Sequence, residues 1–237
     1  MNIFFVLSTG RTGTKFLAQL LNRDPNAKVF HERFKQDFDE YVHAYHDEKS
    51  AIAYIKESRM KLIPNEQSKI YGEITGVLRH HIKALKTVFP EARLFHLVRD
   101  GREVIRSMAS REIMLKSNAI SSQIYPKESD PFYMAWPNMD QFERICWYWS
   151  TENRFLRENI KDSIQFEGII SDYSYLRKRL LDEVGLNIPH DIWNDVVKTK
   201  INATKIYKIP HWRQWSPKQQ GVFERIAASE NHLNGYN

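Results

Sequence analysis

The start of the chain constrains its fold more than any other stretch. Five apolar residues, Ile3-Phe4-Phe5-Val6-Leu7, run directly into Ser8-Thr9-Gly10-Arg11-Thr12-Gly13-Thr14-Lys15. A helical pattern follows, with Phe16, Leu17, Leu20 and Leu21 on one side. A short buried strand, a glycine-bearing loop and an apolar-faced helix in that order predict one βα unit of a parallel sheet. Such a loop turns backbone N–H groups inward at the positive end of the helix dipole, which makes an anion site. Gly10 and Gly13 allow close backbone approach, and Arg11 and Lys15 add full charges. The plainer alternative is an ordinary βα turn with two surface cations. Hydroxyls, glycines and cations this closely spaced favour phosphate.

The phosphate is not obviously that of a nucleotide triphosphate. A Walker A loop needs Ser or Thr after Gly-Lys, because that hydroxyl holds Mg²⁺. Here Lys15 follows Thr14, and Phe16 occupies the hydroxyl's place. No strand ends in a clear Walker B aspartate. A cradle without the metal ligand suits a phosphorylated cofactor used without Mg²⁺.

Further along, short apolar runs alternate with helical patterns, as in a parallel α/β sheet. Strands are expected at 3–7, 28–30, 70–73, 94–98 and 164–166. Helices are expected at 14–22, 37–45, 50–61, 82–88, 102–111, 139–159, 173–184 and 217–233. Asp24-Pro25 should stop the first helix, since the residue before proline avoids the α region. Ser216 with Gln219 forms a capping-box pattern for the last. Residues 116–138 are polar, carry Pro126, Pro131 and Pro137 and lack a clean period. An irregular stretch of that length reads as a lid-like insertion. No Gly/Ser linker divides the chain, so one domain over 1–237 is expected.

A second site is visible where the buried run Arg93–Val98 ends at Arg99-Asp100-Gly101-Arg102 and continues into a helix through Val104, Ile105 and Met108. An arginine at the carboxyl end of a parallel strand faces the edge where α/β proteins bind ligands. Ser107, eight residues on, is expected early on that helix. Together they offer a forked guanidinium and a hydroxyl to a phosphate. Taken alone, Arg99 reads sooner as a solvated turn residue paired with a nearby acid.

Composition narrows the partners. The 237 residues are 42% hydrophobic and 13% aromatic, enough to exclude long disorder. The net charge is +6, and residues 196–225 hold all of it, with seven basic residues (Lys198, Lys200, Lys205, Lys208, Arg213, Lys218, Arg225) against Glu224. So local an excess argues against a nucleic-acid coat and for a small anion. The single cysteine, Cys146, sits in an aromatic helical run and reads as core; it excludes an intramolecular disulfide and fits a reducing, cytoplasmic compartment. The apolar run at the start is too short for a signal-peptide core or a membrane span. His43 and His46 lack metalloprotease spacing, so no metal is expected. Oligomeric state is not legible.

Taken together, Arg11-x-Gly13-Thr14 after the first strand and Val98-Arg99-Asp100-Gly101-Arg102 followed by Ser107-Met108 after a later one resemble the sulfotransferases that use 3′-phosphoadenosine 5′-phosphosulfate (PAPS). The local likeness is greatest to tyrosylprotein and bacterial sulfotransferases. Phe166-Glu167 resembles a further segment of that family, and Trp212-Arg213-x-Trp215-Ser216-Pro217 through Tyr236 resembles its closing loop and last helix. The resemblance implies a three-layer α/β, P-loop-like fold with a central parallel sheet of about five strands flanked by helices. It implies sulfuryl transfer from PAPS to a hydroxyl-bearing acceptor (a carbohydrate, small metabolite or phenol such as tyrosine), leaving adenosine 3′,5′-bisphosphate (PAP). By resemblance, Arg11, Thr12, Gly13, Thr14, Lys15 and Phe16 hold the 5′-phosphosulfate, and Arg99 and Ser107 the 3′-phosphate. Lys208, Trp212 and Arg213, with Lys205 and His211, belong to the closing segment.

The resemblance also implies a catalytic set. In the tyrosylprotein enzymes a glutamate twenty-one residues after the loop arginine acts as base, which here is Glu32, with Pro25 in register. The alternative for Glu32 is a structural ion pair with Arg33, and His31 is the competing base. Arg11 and Lys15 are expected to stabilise developing charge. The Lys-Asp-Pro that the tyrosylprotein enzymes carry after the third strand is replaced here by Glu73-Ile74-Thr75, so one catalytic cation is missing or supplied elsewhere, and Glu73 becomes a candidate acceptor-side acid. His80 and His81 are expected on a helix surface. Two other classes compete: a small-molecule kinase using ATP, and a non-catalytic nucleic-acid-binding module, for which no stacking-aromatic platform stands out.

Overall fold

The computed structural model describes residues 1–47, 49–63, 67–111, 113–115, 123–199 and 206–237. They form two compact units. The first comprises Met1–Val98 and the stretch beginning at Leu156; the second comprises Arg99–Phe155 and the C-terminal stretch ending at Asn237.

The first unit is built on a five-stranded, all-parallel sheet, β1 (Asn2–Leu7), β2 (Ala27–His31), β3 (Ile70–Thr75), β4 (Arg93–Val98) and β5 (Asp162–Gln165), in the order β2-β3-β1-β4-β5. β1 lies central, with Phe5 opposite Glu73 on one side and Leu94 on the other. Its residues Phe4 to Leu7 are fully buried, as a strand covered on both faces requires. The chain leaves β1 for the β3/β2 side and crosses to β4 on the other. The carboxyl end of β1 is therefore the topological switch point, where such sheets bind ligands.

Helices α1 (Thr14–Leu21), α2 (Asp37–His46), α3 (Lys49–Ile55, continued by a π turn at Lys56–Met60) and α4 (Ile82–Val88, after a 3₁₀ turn at Arg79–His81) connect the strands. The main core joins Leu17, Leu20 and Leu21 to Phe4, Phe95 and Ile164, with Leu176, Leu180 and Trp193 from the later stretch. At about 25 cal/mol per Å² of apolar area, burial of this kind is the main force holding the layers together. The fold is the layered α/β architecture expected, and the five strands fall where the apolar runs lie.

Several local expectations need correction. α1 ends before Asp24-Pro25: Asn22 stops it, accepting the Val29 N–H (2.9 Å) and donating to Val29 O (2.6 Å), which ties the turn to β2. Phe166 is not the end of a strand; β5 stops at Gln165 and Phe166–Ser171 is helical (α7). The expected 173–184 helix is α8 (Tyr173–Leu176) and α9 (Asp182–Val184) joined by a π turn. Helix α10 (His190–Val197), capped from Pro189, is too short a pattern to be legible in the sequence.

The second unit contains α5 (Gly101–Ala109), α6 (Gln141–Asn159, up to Phe155), α11 (Pro217–Ile226) and α12 (Ala228–Leu233). The last two replace the single helix expected there; Ala227, with φ −122°, breaks it. The Ser216–Gln219 capping box is formed in both directions. Cys146, Trp147 and Trp149 are core residues of α6, and burial raises the Cys146 thiol pKa well above its usual value. Of the expected irregular segment, 116–122 lie outside the described residues. The remainder, 123–138, is largely non-helical and anchored: Trp147 Nε1–H donates to Asp130 (2.9 Å), and the Trp136 and Trp147 rings pack edge-on at 4.9 Å. Among the described residues no helix is long and apolar enough to cross a membrane, and no three His, Cys, Asp or Glu side chains converge as a metal-ligand set.

Candidate functional site

The loop after β1 winds through left-handed backbone at Gly10 (φ 81°), Arg11 (φ 59°) and Gly13 (φ 85°). At Arg11 this conformation costs roughly 1–2 kcal/mol, so the surroundings must impose it. Ser8 anchors the loop: its N–H donates to Thr75 O (3.2 Å) and its Oγ accepts the Gly10 N–H (3.1 Å). Beneath it the buried Arg79 guanidinium donates to Ser8 O (3.3 Å), Gly76 O and the Tyr41 hydroxyl. Gly13 is pressed against Phe166, whose ring would lie 2.1 Å from a Cβ there. Gly10, by contrast, opens onto empty space.

One atom in the loop is conspicuous. Thr12 is fully buried, and its hydroxyl has no hydrogen-bond partner. An orphaned buried hydroxyl costs about 1–3 kcal/mol. With the free N–H groups of the first turn of α1, exposed Lys15 and half-buried Arg11, that hydroxyl fits a phosphate group. Phe16 lies on the apolar side of α1 as its position implies: its ring is core, edge-on to Phe166 at 5.8 Å, leaving only its backbone N–H for a ligand.

β2 delivers the acid–base candidates to the same loop. His31 Nε2 lies 3.0 Å from Thr14 Oγ1 and 4.0 Å from Glu32 Oε1. Glu32 has φ 48°, a left-handed conformation unusual for glutamate, and its N–H donates to Ile74 O (3.4 Å). Burial lowers the His31 pKa; the Glu32 charge opposes this and Lys15 reinforces it. Arg33 donates to the Tyr71 hydroxyl (2.5 Å) and stacks on Phe30 at 4.1 Å.

Two sequence expectations fail here. Glu73 is not available to an acceptor: it is buried, receiving both Arg59 Nη2 (2.9 Å) and Nε (3.2 Å) and the Tyr71 hydroxyl. Arg59 simultaneously makes a two-pronged contact to Asp37, at 2.7 Å on each oxygen. Burial opposes the Arg59 charge, but Glu73 and Asp37 outweigh it and raise its pKa. His81 is not on a helix surface either. It is fully buried beside Tyr54 with both ring nitrogens unpartnered, and His80 is half-buried between Tyr41 and Tyr45.

The second unit holds the other candidates. Arg99 is half-buried and faces Glu103 at 3.9 Å, the pairing with an acid that a turn arginine would make. Ser107 is buried and lies seventh in the nine-residue α5, later than expected. Asp100 caps α5, accepting the Arg102 N–H (3.0 Å), and holds the Arg102 guanidinium. The C-terminal tail runs along this helix. Arg102 stacks on Trp212 at 4.2 Å, Arg106 on Tyr207 at 3.8 Å, His211 meets Glu103 at 3.5 Å, and the Lys208 N–H donates to Ser110 Oγ (2.9 Å). Lys208 thus meets the end of the helix that carries Ser107, and Trp212 and Arg213 line, with Arg102, Trp215 and Phe223, a cavity of about 420 Å³. Lys200 and Lys205 lie outside the described residues.

Sequence reasoning missed Arg79, Phe166 as the wall behind Gly13, and Glu103. Only Glu103 left a signal, its i,i+4 spacing from Arg99.

Among known proteins the chain matches no family model. No curated protein matches it either. Solved structures do. Mouse sulfotransferase SULT7A1 complexed with PAP aligns at 15% identity and TM-score 0.56, covering 100% of this chain and 89% of that one. A sulfotransferase from Alicyclobacillus acidocaldarius aligns at 16% and 0.52 (100% and 97% covered), and the sulfotransferase domain from the Curacin biosynthetic pathway at 15% and 0.50 (100% and 98%). Identities this low speak to architecture: the chain has the α/β fold of the sulfotransferases, the fold its motifs resemble.

Proposed function

We propose that this chain is a PAPS-dependent sulfotransferase acting on a hydroxyl-bearing acceptor. The observation that carries the reading is the Ser8–Lys15 loop, with its orphaned Thr12 hydroxyl, linked through Thr14 and His31 to Glu32. Bound PAPS would supply a sulfuryl group on a bridging oxygen whose leaving group is a phosphate. The loop N–H groups and the Thr12 and Thr14 hydroxyls hold the phosphate end. Arg11 and Lys15 counter the charge that grows on the bridging oxygen, an effect that preorganised cations provide without reorganisation. Glu32 takes the acceptor's hydroxyl proton as the oxygen attacks. Arg99 and Ser107 bind the 3′-phosphate, with Lys208, Trp212 and Arg213 closing on the nucleotide. A kinase reading is disfavoured by Phe16: the side chain that should present a metal-binding hydroxyl is part of the core.

The test is incubation with ³⁵S-labelled PAPS and a panel of carbohydrate, phenol, peptide-tyrosine and small-metabolite acceptors, with products identified by mass spectrometry. Transfer of label without added Mg²⁺ is expected. Phosphate transfer from Mg²⁺–ATP, with none from PAPS, would overturn the reading.

A further inference from the structure

We propose that His31 is a positioning residue of the phosphate loop: it donates its Nε2–H to Thr14 Oγ1 and so leaves the Thr14 hydroxyl proton free for a bound anion. The proposal rests on the reading above, in which the loop holds a phosphate of the donor.

A threonine hydroxyl has one proton to give and two lone pairs to accept with. Its contact with His31 Nε2, at 3.0 Å, can therefore run in either direction. If Thr14 donates to His31, its proton is consumed and an anion gains nothing from it. If His31 donates, Thr14 relays a donor into the cradle. A phosphate oxygen accepts only, so an occupied loop selects the second arrangement. Thr14 stands at the first position of α1, where the helix dipole also favours negative charge.

The placement of His31 suits this role. It is the last residue of β2, in register with Ile74, so a rigid strand carries the imidazole. The charged groups that face it are Lys15 from α1 and Glu32 from the end of its own strand. Burial, reinforced by Lys15, keeps the ring towards its neutral form, in which the tautomer decides who donates.

The experiment is calorimetric titration with adenosine 3′,5′-bisphosphate of the wild type, His31→Leu, His31→Gln, His31→Asn, Thr14→Val and the double variant that combines His31→Leu with Thr14→Val. A glutamine amide N–H can stand near the Nε2 position; asparagine is too short. Leucine and asparagine at position 31 should weaken binding about tenfold, as loss of one hydrogen bond to a charged ligand's site does. Glutamine should stay within about threefold of wild type. In the Thr14→Val background leucine should cost nothing more, because the shared interaction is already gone. Equal binding by the leucine variant overturns the proposal. So does a glutamine variant as weak as leucine, or a leucine penalty that persists undiminished in the Thr14→Val background. Failure of the wild type to bind the bisphosphate removes the donor reading as well. Wild-type binding that ignores residue 31 removes this proposal alone.

Discussion

At the scale of single residues, Glu32 carries the chemistry proposed for the site. Its left-handed backbone is unfavourable for a residue with a Cβ, and such strain persists only where neighbours over-determine it. The neighbours here are the strand bond to Ile74 on one side and Arg33, held by Tyr71 and Phe30, on the other. Glutamine at this position keeps shape and polarity but cannot take a proton. Glu32→Gln should leave bisphosphate affinity within about twofold and lower turnover by about 10²-fold or more; labelled-sulfate transfer measures the second quantity. Turnover near wild type would remove Glu32 from the mechanism. That Glu32 comes to lie near the loop is legible, because the strand that carries it is read from its apolar run and the resemblance supplies the spacing from Arg11. The role of Glu73 is not: its fate is decided by Arg59, fourteen residues earlier, which in turn depends on Asp37, twenty-two residues before Arg59. Nothing local in Glu73-Ile74-Thr75 announces a buried guanidinium.

At the scale of elements, the loop's two glycines are needed for different physical reasons. Both occupy left-handed backbone, where an alanine costs about 1–2 kcal/mol. Around Gly10 there is room for a methyl group, and that room lies beside the cradle. Around Gly13 the Phe166 ring, itself packed on Phe16, leaves none. Gly13→Ala should therefore add an overpacking cost of about 1–3 kcal/mol to its backbone cost. Gly10→Ala should lose little stability beyond the backbone cost and lose anion affinity instead. Urea unfolding of both variants, and of Gly13→Ala combined with Phe166→Leu, separates the two terms; equal stability losses at both positions would refute the distinction. The strand-loop-helix is readable from hydrophobic period and glycines alone, as is the Ser216–Gln219 cap. Phe166 reads as the end of a strand because a short apolar run does not say where pairing stops. β5 ends where the β4 partner does, with Val98 opposite Gln165. The late position of Ser107 is hidden for a similar reason: helix α5 starts at its Asp100 cap and closes at Ala109, an end that the sequence does not mark with glycine or proline.

At the scale of the whole molecule, the charge excess lies in residues 196–225, and within that stretch the segment carrying Tyr207 and Trp212 is held to α5 by stacked arginines, Arg102 on Trp212 and Arg106 on Tyr207. A buried histidine in the first unit gives the protein a pH-dependent stability. His81 is fully buried without a hydrogen-bond partner, and its pKa falls to about 4, chiefly through burial, with the Arg59 charge adding to the shift and Asp37 opposing it. In the unfolded chain the same ring titrates near the usual histidine value of about 6.5. Above that pH both states are neutral and the group contributes nothing to the balance. As pH falls from about 6.5 towards 4, the unfolded state binds a proton that the folded state refuses, so folding loses stability; below that range the loss is complete. Between pH 7 and pH 5 the difference in pKa corresponds to about 2 kcal/mol. His81→Leu, a buried substitution of similar size, removes this term while leaving the Asp37–Arg59–Glu73 network in place. Urea unfolding at the two pH values should show the wild type losing about 2 kcal/mol more than the variant on acidification. An identical pH dependence in the two proteins would mean that the ring titrates in the folded protein as it does in the unfolded chain, and would refute the lowered pKa.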